Sequence, residues 1–426
     1  MSRREPAGTP PQSTRSTGGK LGLLAALYFS QGLPFGFFTQ ALPLLLRKQG
    51  YSLGAIGLSS LLSLPWALKF LWAPVVDRCW VARFGRRRSW IVPLQLLAVA
   101  VLLGLALSAG LESTMLLMGA VLLLNLVAAT QDIATDGLAV ELLAPAERGL
   151  ANGIQVGGYR VGMIVGGGVL LILYQHLGSA GTFLCMAALT ALASLPILLT
   201  REPPPRRAGE ATPAVHFLRR PGAARVLALL VVYKAGDAFA TGMLRPFLAD
   251  LGLGLADVGW LLGTVGFIAG LGGALCGGAL VNRLGRRRAL LGFAALQAGA
   301  VAGYACLLIG RPSHAALYAV CAAEHFLGGM ATAALFTCMM DWCSQETSAT
   351  DYTVQASAVV IATGAAAALS GFSAERFGYL AHFCLATLLS LAALVVARAC
   401  FPSAAAAARL RSAAVPHDDD EDAESA

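Results

Sequence analysis

Residues 74–90 read PVVDRCWVARFGRRRSW, and roughly 200 positions later residues 278–290 read GALVNRLGRRRAL. In each, an acid or its amide precedes an arginine, Asp77-Arg78 or Asn282-Arg283, and a basic run follows, Gly85-Arg86-Arg87-Arg88 or Gly285-Arg286-Arg287-Arg288. Each stretch ends one apolar run and opens the next, so the same short basic loop occurs twice at matching places. Other matches are collinear with it: Tyr28 with Tyr233, Gly50 and Gly57 with Gly252 and Gly259, and Gln155 with Gln355. One such match arises easily by chance, whereas an ordered series implies a duplicated half. Parallel repeats related by an axis along the membrane normal are a transporter architecture, with the solute site between the halves near the midplane.

Composition agrees with a chain solvated by lipid. Charged residues make up 13% and hydrophobic residues 57%, against about a quarter charged in soluble domains, and mean hydropathy is +0.69. A bilayer core about 30 Å thick takes about 20 apolar residues per helix. Apolar runs of suitable length fall near 21–46, 55–76, 90–111, 115–142, 150–174 and 180–199, and again near 223–249, 256–281, 289–310, 314–342, 352–374 and 378–401. The expected fold is an all-α polytopic membrane protein of twelve transmembrane helices in two pseudo-symmetric six-helix halves, 21–200 and 223–401. Residues 1–20 are expected as a polar tail, 201–222 (REPPPRRAGEATPAVHFLRRPG) as a linker, and 402–426 as a disordered acidic tail. The first apolar run is too long for a signal-peptide core, so it is expected to remain as a span. Lys and Arg crowd the tails and the loops of one side, with Arg47, Lys48, Arg311 and Arg376 opposite, which predicts cytoplasmic termini.

Several function classes fall away. The formal charge of +8 lies in short loops between apolar runs rather than on a soluble face, which argues against nucleic acid. The nine cysteines are scattered with no CxxC pair or histidine cluster, so neither a disulfide framework nor a metal site is expected, and no cofactor is implied. There is no Walker A sequence and hence no sign of direct ATP hydrolysis. A membrane-embedded acyltransferase would have to rest on His325 beside Glu324, and a receptor without transport would have no need of duplicated halves.

The doubled loop resembles the signature between helices 2 and 3 of the major facilitator superfamily. Four further stretches resemble the group that includes AmpG muropeptide permeases, acetyl-coenzyme A transporters and RhtX/FptX siderophore permeases: QGLPFGFFTQALP (31–43), PWALKFLWAPVVDR (65–78), ATQDIATDGLAVELLAPAERG (129–149) and NGIQVGGYRVGMIVGGG (152–168). The helix 1 wording is most similar to the RhtX/FptX branch. That resemblance implies a monomeric, proton-coupled permease bringing a ferric siderophore across a bacterial inner membrane, with a muropeptide or acetyl-coenzyme A as the alternative solute. It also implies gating roles for Asp77, Arg78, Gly85, Arg86, Arg87, Arg283, Gly285, Arg286 and Arg287, and a sliding contact of helices 5 and 8. Helix 5 carries Gly158, Gly162 and Gly166 and helix 8 carries Gly266 and Gly270, at the four-residue spacing of close helix contacts.

Ionisable groups inside a bilayer cost about 2.5 to 3.5 kcal/mol each on insertion scales, so those present need partners or a wet cavity. Lys69, Asp132, Asp136 and Arg160 fall at comparable depth, and Asp132 and Asp136 share one helix face. The expectation is a cluster of Lys69, Gln131, Asp132, Asp136 and Arg160 that contacts solute or couples its movement to protons, or else a static ion-pair network. A second set comprises Lys234 and Asp237 on helix 7 and Glu324 and His325 on helix 10. On helix 1, Tyr28, Gln31, Phe35, Phe38, Thr39 and Gln40 surround a Gly32-x-Pro34 break that frees backbone groups toward a cavity. Of these, Tyr28, Gln31 and Gln40, with Gln131, Gln155, Tyr159 and Tyr233, form the candidate cavity lining.

Overall fold

The computed structural model describes residues 16–50, 59–108, 114–200, 202, 214–309 and 313–411. Gly57, Arg311, most of the linker and the two chain ends lie outside the described residues. Among the described residues ten helices are long and apolar enough to cross a membrane. In chain order, with the broken second element included, they are α1 (Thr17–Ala41), α2 (60–71), α3 (Arg88–Leu107), α4 (Thr114–Leu142), α5 (Arg148–Tyr174) and α6 (His176–Leu198). The second series is α7 (Ala223–Asp250), α8 (Asp257–Leu284), α9 (Arg286–Ile309) and α10 (His314–Asp341), followed by the continuous run Ser348–Cys400. That run turns at Gly378 (φ 76°, ψ 167°) and divides into α11 (348–377) and α12 (379–400), close to the two spans expected there.

The duplication is written in the backbone. Positive-φ glycines pair across the halves: Gly50 with Gly252, Gly85 with Gly285, and Gly178 with Gly378. A left-handed conformation costs a residue with a Cβ about 1 to 2 kcal/mol, so each half turns at the same places on a residue that carries none.

One expected helix is not continuous. The stretch expected as 55–76 is described as a 3₁₀ turn (Ser60–Ser63), a short α-helix (Leu64–Leu68), a second 3₁₀ turn (Lys69–Leu71) and a final turn (Ala73–Arg78) that leads into the basic loop. Pro65 and Pro74 each stand at the start of a short α segment, where a ring without an N–H is tolerated, and each interrupts the ladder behind it. α7 is also broken, at Lys234 (φ −106°, ψ 0°) and Met243 (φ −104°, ψ 5°). Lys69 and Lys234 therefore both sit at breaks, one in each half.

The tail expected to be disordered from 402 begins with a helix, Ala404–Arg411. Its Leu410 is buried in the core that holds Phe217, Ala223 and Ala397, so apolar contact orders this segment.

The glycine stripes need a second correction. A Cβ on Gly158, Gly162 or Gly166 would meet Ala25, Phe29 and Gly32, or Leu33, so this stripe packs α5 on α1 within one half. Gly266 likewise borders α10, at His325, whereas Gly270 faces the Arg160 side chain of α5 before the His325 carbonyl. The crossing of α5 and α8 uses another face, rotated by one residue: Gly149 collides with the Gly278 carbonyl if given a Cβ, Gly153 would stand 2.8 Å from the Ala274 carbonyl, and Gly157 2.6 Å from Leu271.

Candidate functional site

The hydrogen bonds that join the halves gather at the end bearing the two basic loops. Asp77 Oδ2 accepts from the backbone N–H of Thr350 (2.7 Å) and from its hydroxyl (2.6 Å). A carboxylate of the first half thus caps the N-terminus of α11 in the second, where it satisfies an orphan donor and meets the positive end of the helix. Arg87 is fully buried and donates to Asp77 (2.7 Å), Glu141 (2.6 Å) and Ser348 (2.7 Å). Arg86 donates to Asp77 (2.9 Å) and Glu141 (3.2 Å) and reaches the carbonyls of Gln345 and Glu346. Burial disfavours the Asp77 anion, but the guanidiniums of Arg87 and Arg86 outweigh it and hold this carboxyl below the usual aspartate range.

The second copy is built differently. Asn282 donates to the Ala146 carbonyl, and Arg286 donates to Asp341 (2.6 Å), to Asn282 (2.6 Å) and to the Pro145 carbonyl (2.6 Å). An aspartate at 282 would present an acceptor to an acceptor, so the amide suits this contact. Arg148 completes the seal by donating to Asp341 (2.7 Å) and the Met340 carbonyl (3.1 Å). Arg78, Arg283 and Arg287 are exposed and, apart from a long contact of Arg287 to the Arg398 carbonyl, stand clear of the seal. Gly85 and Gly285 supply its positive-φ turns. Sequence reasoning missed Asp341, Ser348, Thr350 and Glu202. Glu202, at the start of the linker, accepts from the backbone N–H groups of Arg87 (2.9 Å) and Arg88 (3.1 Å) and so caps α3. Asp341 had a signal, since it lies 200 positions after Glu141 in the repeat.

Deeper in the first half, the Lys69 ammonium donates to Asp132 and lies 3.9 Å from Asp136. Tyr28 donates to Asp136 Oδ1 (2.7 Å), as does Gln155 (3.3 Å). Two carboxylates and one ammonium leave a surplus negative charge in a buried place, which a proton or a cationic group of the cargo would neutralise. Gln131 faces Ser30 (3.2 Å) and Gln31 faces Thr135 (3.1 Å), so both amides bind α4 to α1 and stand beside the charges rather than among them.

Arg160 does not join this cluster. It extends from α5 toward α8, where a Cβ on Gly270 would run into its guanidinium, and the acids that set its field are Glu324 and Asp237 of the other half. Its register explains the difference: Arg160 lies one turn beyond Gly157 on the face that meets α8. In the second half, Lys234 and Asp237 pair at 2.7 Å, Glu324 meets His325 Nδ1 at 2.8 Å, and Tyr304 donates to Glu324 at 3.4 Å. The Gln297 amide, the Glu324 carboxylate and the Lys234 ammonium all converge on the open side of Gly328, at 3.1, 3.4 and 3.8 Å from where a Cβ would stand.

Of the expected cavity residues, Tyr233 is placed otherwise: it is buried and its hydroxyl donates to the Leu290 carbonyl (2.8 Å), which fixes α7 to α9. Gln40 is exposed near the far end of α1. Tyr159 is half-buried and forms a triangle of rings with Phe35 (5.7 Å between centroids) and Trp66 (6.2 Å), while Phe35 and Trp66 stand 5.4 Å apart. Trp66 was absent from the expected lining. Its indole N–H is held by Asn125 (3.0 Å) and its ring lies 5.7 Å from the Lys69 ammonium.

Comparison with known proteins places this geometry. The family profile described as acetyl-coenzyme A transporter 1 matches residues 20–177, and that of the major facilitator superfamily matches residues 226–417. The anhydromuropeptide permease of Escherichia coli strain K12 is 32% identical over 391 residues, covering 89% of this chain and 79% of the relative. The putative transporter AmpG 4 of Rickettsia felis is 25% identical, covering 86% of this chain and 92% of the relative. In fold, the chain is similar to the crystal structure of the major facilitator transporter FucP in its outward conformation, with a TM-score of 0.72 at 15% identity, 91% of this chain and 100% of that one being covered. These relatives are permeases and transporters, not enzymes, which removes the acyltransferase reading. They lie on the muropeptide and acetyl-coenzyme A side of the group and lend no support to the siderophore branch expected from residues 31–43. With its halves repeated turn for turn, the chain is a multi-pass membrane permease and belongs to the AmpG and acetyl-coenzyme A transporter group of the major facilitator superfamily.

Proposed function

We propose that this chain is a secondary permease for a sugar-peptide of the anhydromuropeptide type, working by alternating access between two six-helix halves. The observation that carries the solute class is the 32% identity to an anhydromuropeptide permease across 89% of the chain. In this reading α2 and the two limbs on either side of Gly378 bring the spans to twelve. The basic loops and both termini face the cytoplasm of a bacterial inner membrane, and residues 201–222 link the halves on that side. The sealed loop end is then the inner gate, and the path opens outward.

Coupling falls to the buried acids. Lys69, Asp132 and Asp136 hold one more negative than positive charge, with Tyr28 and Gln155 positioned to donate to Asp136. A proton taken from the open side removes the surplus, and its release on the other side returns it, so the cluster moves between faces at lower cost when loaded. Lys234, Asp237 and Glu324 form a second charged set in the other half. The test is uptake of labelled anhydromuramyl peptide by vesicles containing the purified protein, with and without an inward proton gradient. Gradient-driven accumulation abolished by a protonophore is expected. Exclusion of the peptide under every gradient would overturn the solute, and uptake indifferent to the protonophore would overturn the coupling.

A further inference from the structure

We infer that Arg160 is the binding residue for a carboxylate of the cargo, and that Phe35, Trp66 and Tyr159 beside it form the platform on which the ring of the same cargo lies. The inference rests on the sugar-peptide reading above and assigns two subsites within it.

Three observations carry the anion subsite. First, among the described residues no carboxylate lies within ion-pair distance of Arg160, although every other buried or half-buried cation of the membrane interior described above, Lys69 and Lys234, has its acid. A guanidinium offers five donors in a planar fork suited to a carboxylate, so an unpaired one at mid-depth is a site in waiting. Second, the close approach of α5 to α8 runs outward from Gly149 through Gly153 and Gly157, and Arg160 is the next residue of that face. It therefore stands where the seal between the halves ends, on the floor reached by a solute from the opposite side. Third, its guanidinium occupies the space left by Gly270, next to the His325 carbonyl on α10, so an anion held there touches elements of both halves.

The ring subsite is contiguous. Tyr159 precedes Arg160 on α5, and the three half-buried rings stand 5.4 to 6.2 Å apart. Asn125 fixes the Trp66 indole, so the platform is preorganised. A pyranose has an apolar C–H face that gains by covering aromatic surface, and its polar edge is left for the ammonium of Lys69.

Two probes separate the subsites: N-acetylmuramyl-L-alanine, whose alanyl carboxylate is free, and its carboxamide, the same sugar-peptide without that charge. Binding to the detergent-purified full chain, followed by tryptophan fluorescence, is expected to favour the acid by about tenfold or more, the usual gain from a charged hydrogen-bonded pair. In R160Q the ratio falls to about one. R160K retains part of it, because charge without the fork remains. G270A keeps the arginine but displaces its guanidinium, the atoms it meets being the end of a flexible side chain, and is expected to lose most of the preference. W66A weakens both probes together.

A preference for the acid that survives R160Q overturns the anion subsite, as does a wild type that binds neither probe. Unchanged sugar binding in W66A overturns the platform. Failure here is distinct from failure of the transport reading: vesicles that accumulate anhydromuramyl peptide while R160Q keeps the preference retain the function and lose the site. Vesicles that exclude the peptide while the R160Q loss persists retain the site and lose the function.

Discussion

The two copies of the basic loop share a sequence pattern and a turn geometry but close the molecule in different ways. In the first, one carboxylate, Asp77, receives two guanidiniums and caps a helix of the opposite half, and the central Arg87 is wholly excluded from solvent. In the second, Asn282 and Arg286 donate to backbone carbonyls of the 145–146 turn, with Asn282 exposed and Arg286 half-buried. A buried charged network loses several kcal/mol when one partner is removed, whereas in the second copy Asp341 keeps Arg148 when Arg286 is removed, and each bond to a neutral carbonyl is worth about 1 kcal/mol. Pseudo-symmetry of backbone thus coexists with asymmetry of energy. The first copy is a lock, the second a brace.

Steric insult should act most strongly of all. Gly149→Val would drive a branched side chain into the Gly278 carbonyl, and the α5–α8 contact cannot form around it. Loss of the sealed state altogether is expected, read as full labelling by a membrane-impermeant maleimide from the loop side of a cysteine placed at Ala349, which is buried against Val76 and Leu138 of the first half. Protection equal to the parent's would show that this crossing is not the seal. Gly158→Ala, on the other stripe, should lower thermal stability within the first half without exposing that position.

Asp77→Asn comes next. It removes the charge that Arg86 and Arg87 share, and should cost the sealed state about 3 kcal/mol, a shift of roughly a hundredfold toward the loop-open form. Arg286→Gln should cost less, about 1 kcal/mol, since its ion pair is partly exposed and Asp341 keeps Arg148 as a partner. Equal effects of the two, measured by the same labelling rates, would abolish the distinction between lock and brace. The reciprocal change Asn282→Asp is expected to weaken the seal rather than strengthen it, because the amide donor to Ala146 is lost.

Acidity gives the smallest effect. A carboxyl held below its ordinary range stabilises the sealed state at all pH values above its unlocked pKa, and that contribution disappears only as pH falls through the lowered value. The lock should be indifferent to pH between about 5 and 8, with the ordinary aspartate value near 3.9 as the reference. Labelling rates at the loop end that change across that window would assign the seal to other groups.

Much of this was legible in the chain itself, because membrane helices announce themselves by length and because a repeated loop fixes the halves. The depth arithmetic that brought Lys69 to Asp132 and Asp136 worked since all three lie on inward faces, at distances that helix rise alone sets. It failed for Arg160, where depth was right and azimuth wrong: helical rise does not say which neighbour a residue meets. The glycines of α5 failed similarly, as two stripes at the same four-residue spacing differ by one residue in register and by a partner in space. Trp66 escaped notice because nothing in PWALKF marks one ring as facing rings of α1 and α5. The siderophore branch expected from residues 31–43 finds no support among the relatives, and the amides and rings of that stretch mostly pack α1 on α4, α5 and α6.

The most direct test of the central claim, that a polar lock at the loop end opens and closes as the two halves exchange access, is a distance. Spin labels at Arg83 and Arg283, both exposed and outside the seal, would be placed in a cysteine-depleted variant and followed by pulsed dipolar spectroscopy in vesicles. A single short distance without cargo is predicted, giving way to a second, longer one when anhydromuramyl peptide and a proton gradient are supplied, and to that longer one alone in Asp77→Asn. One unchanging distance under every condition, in parent and variant alike, would contradict the account.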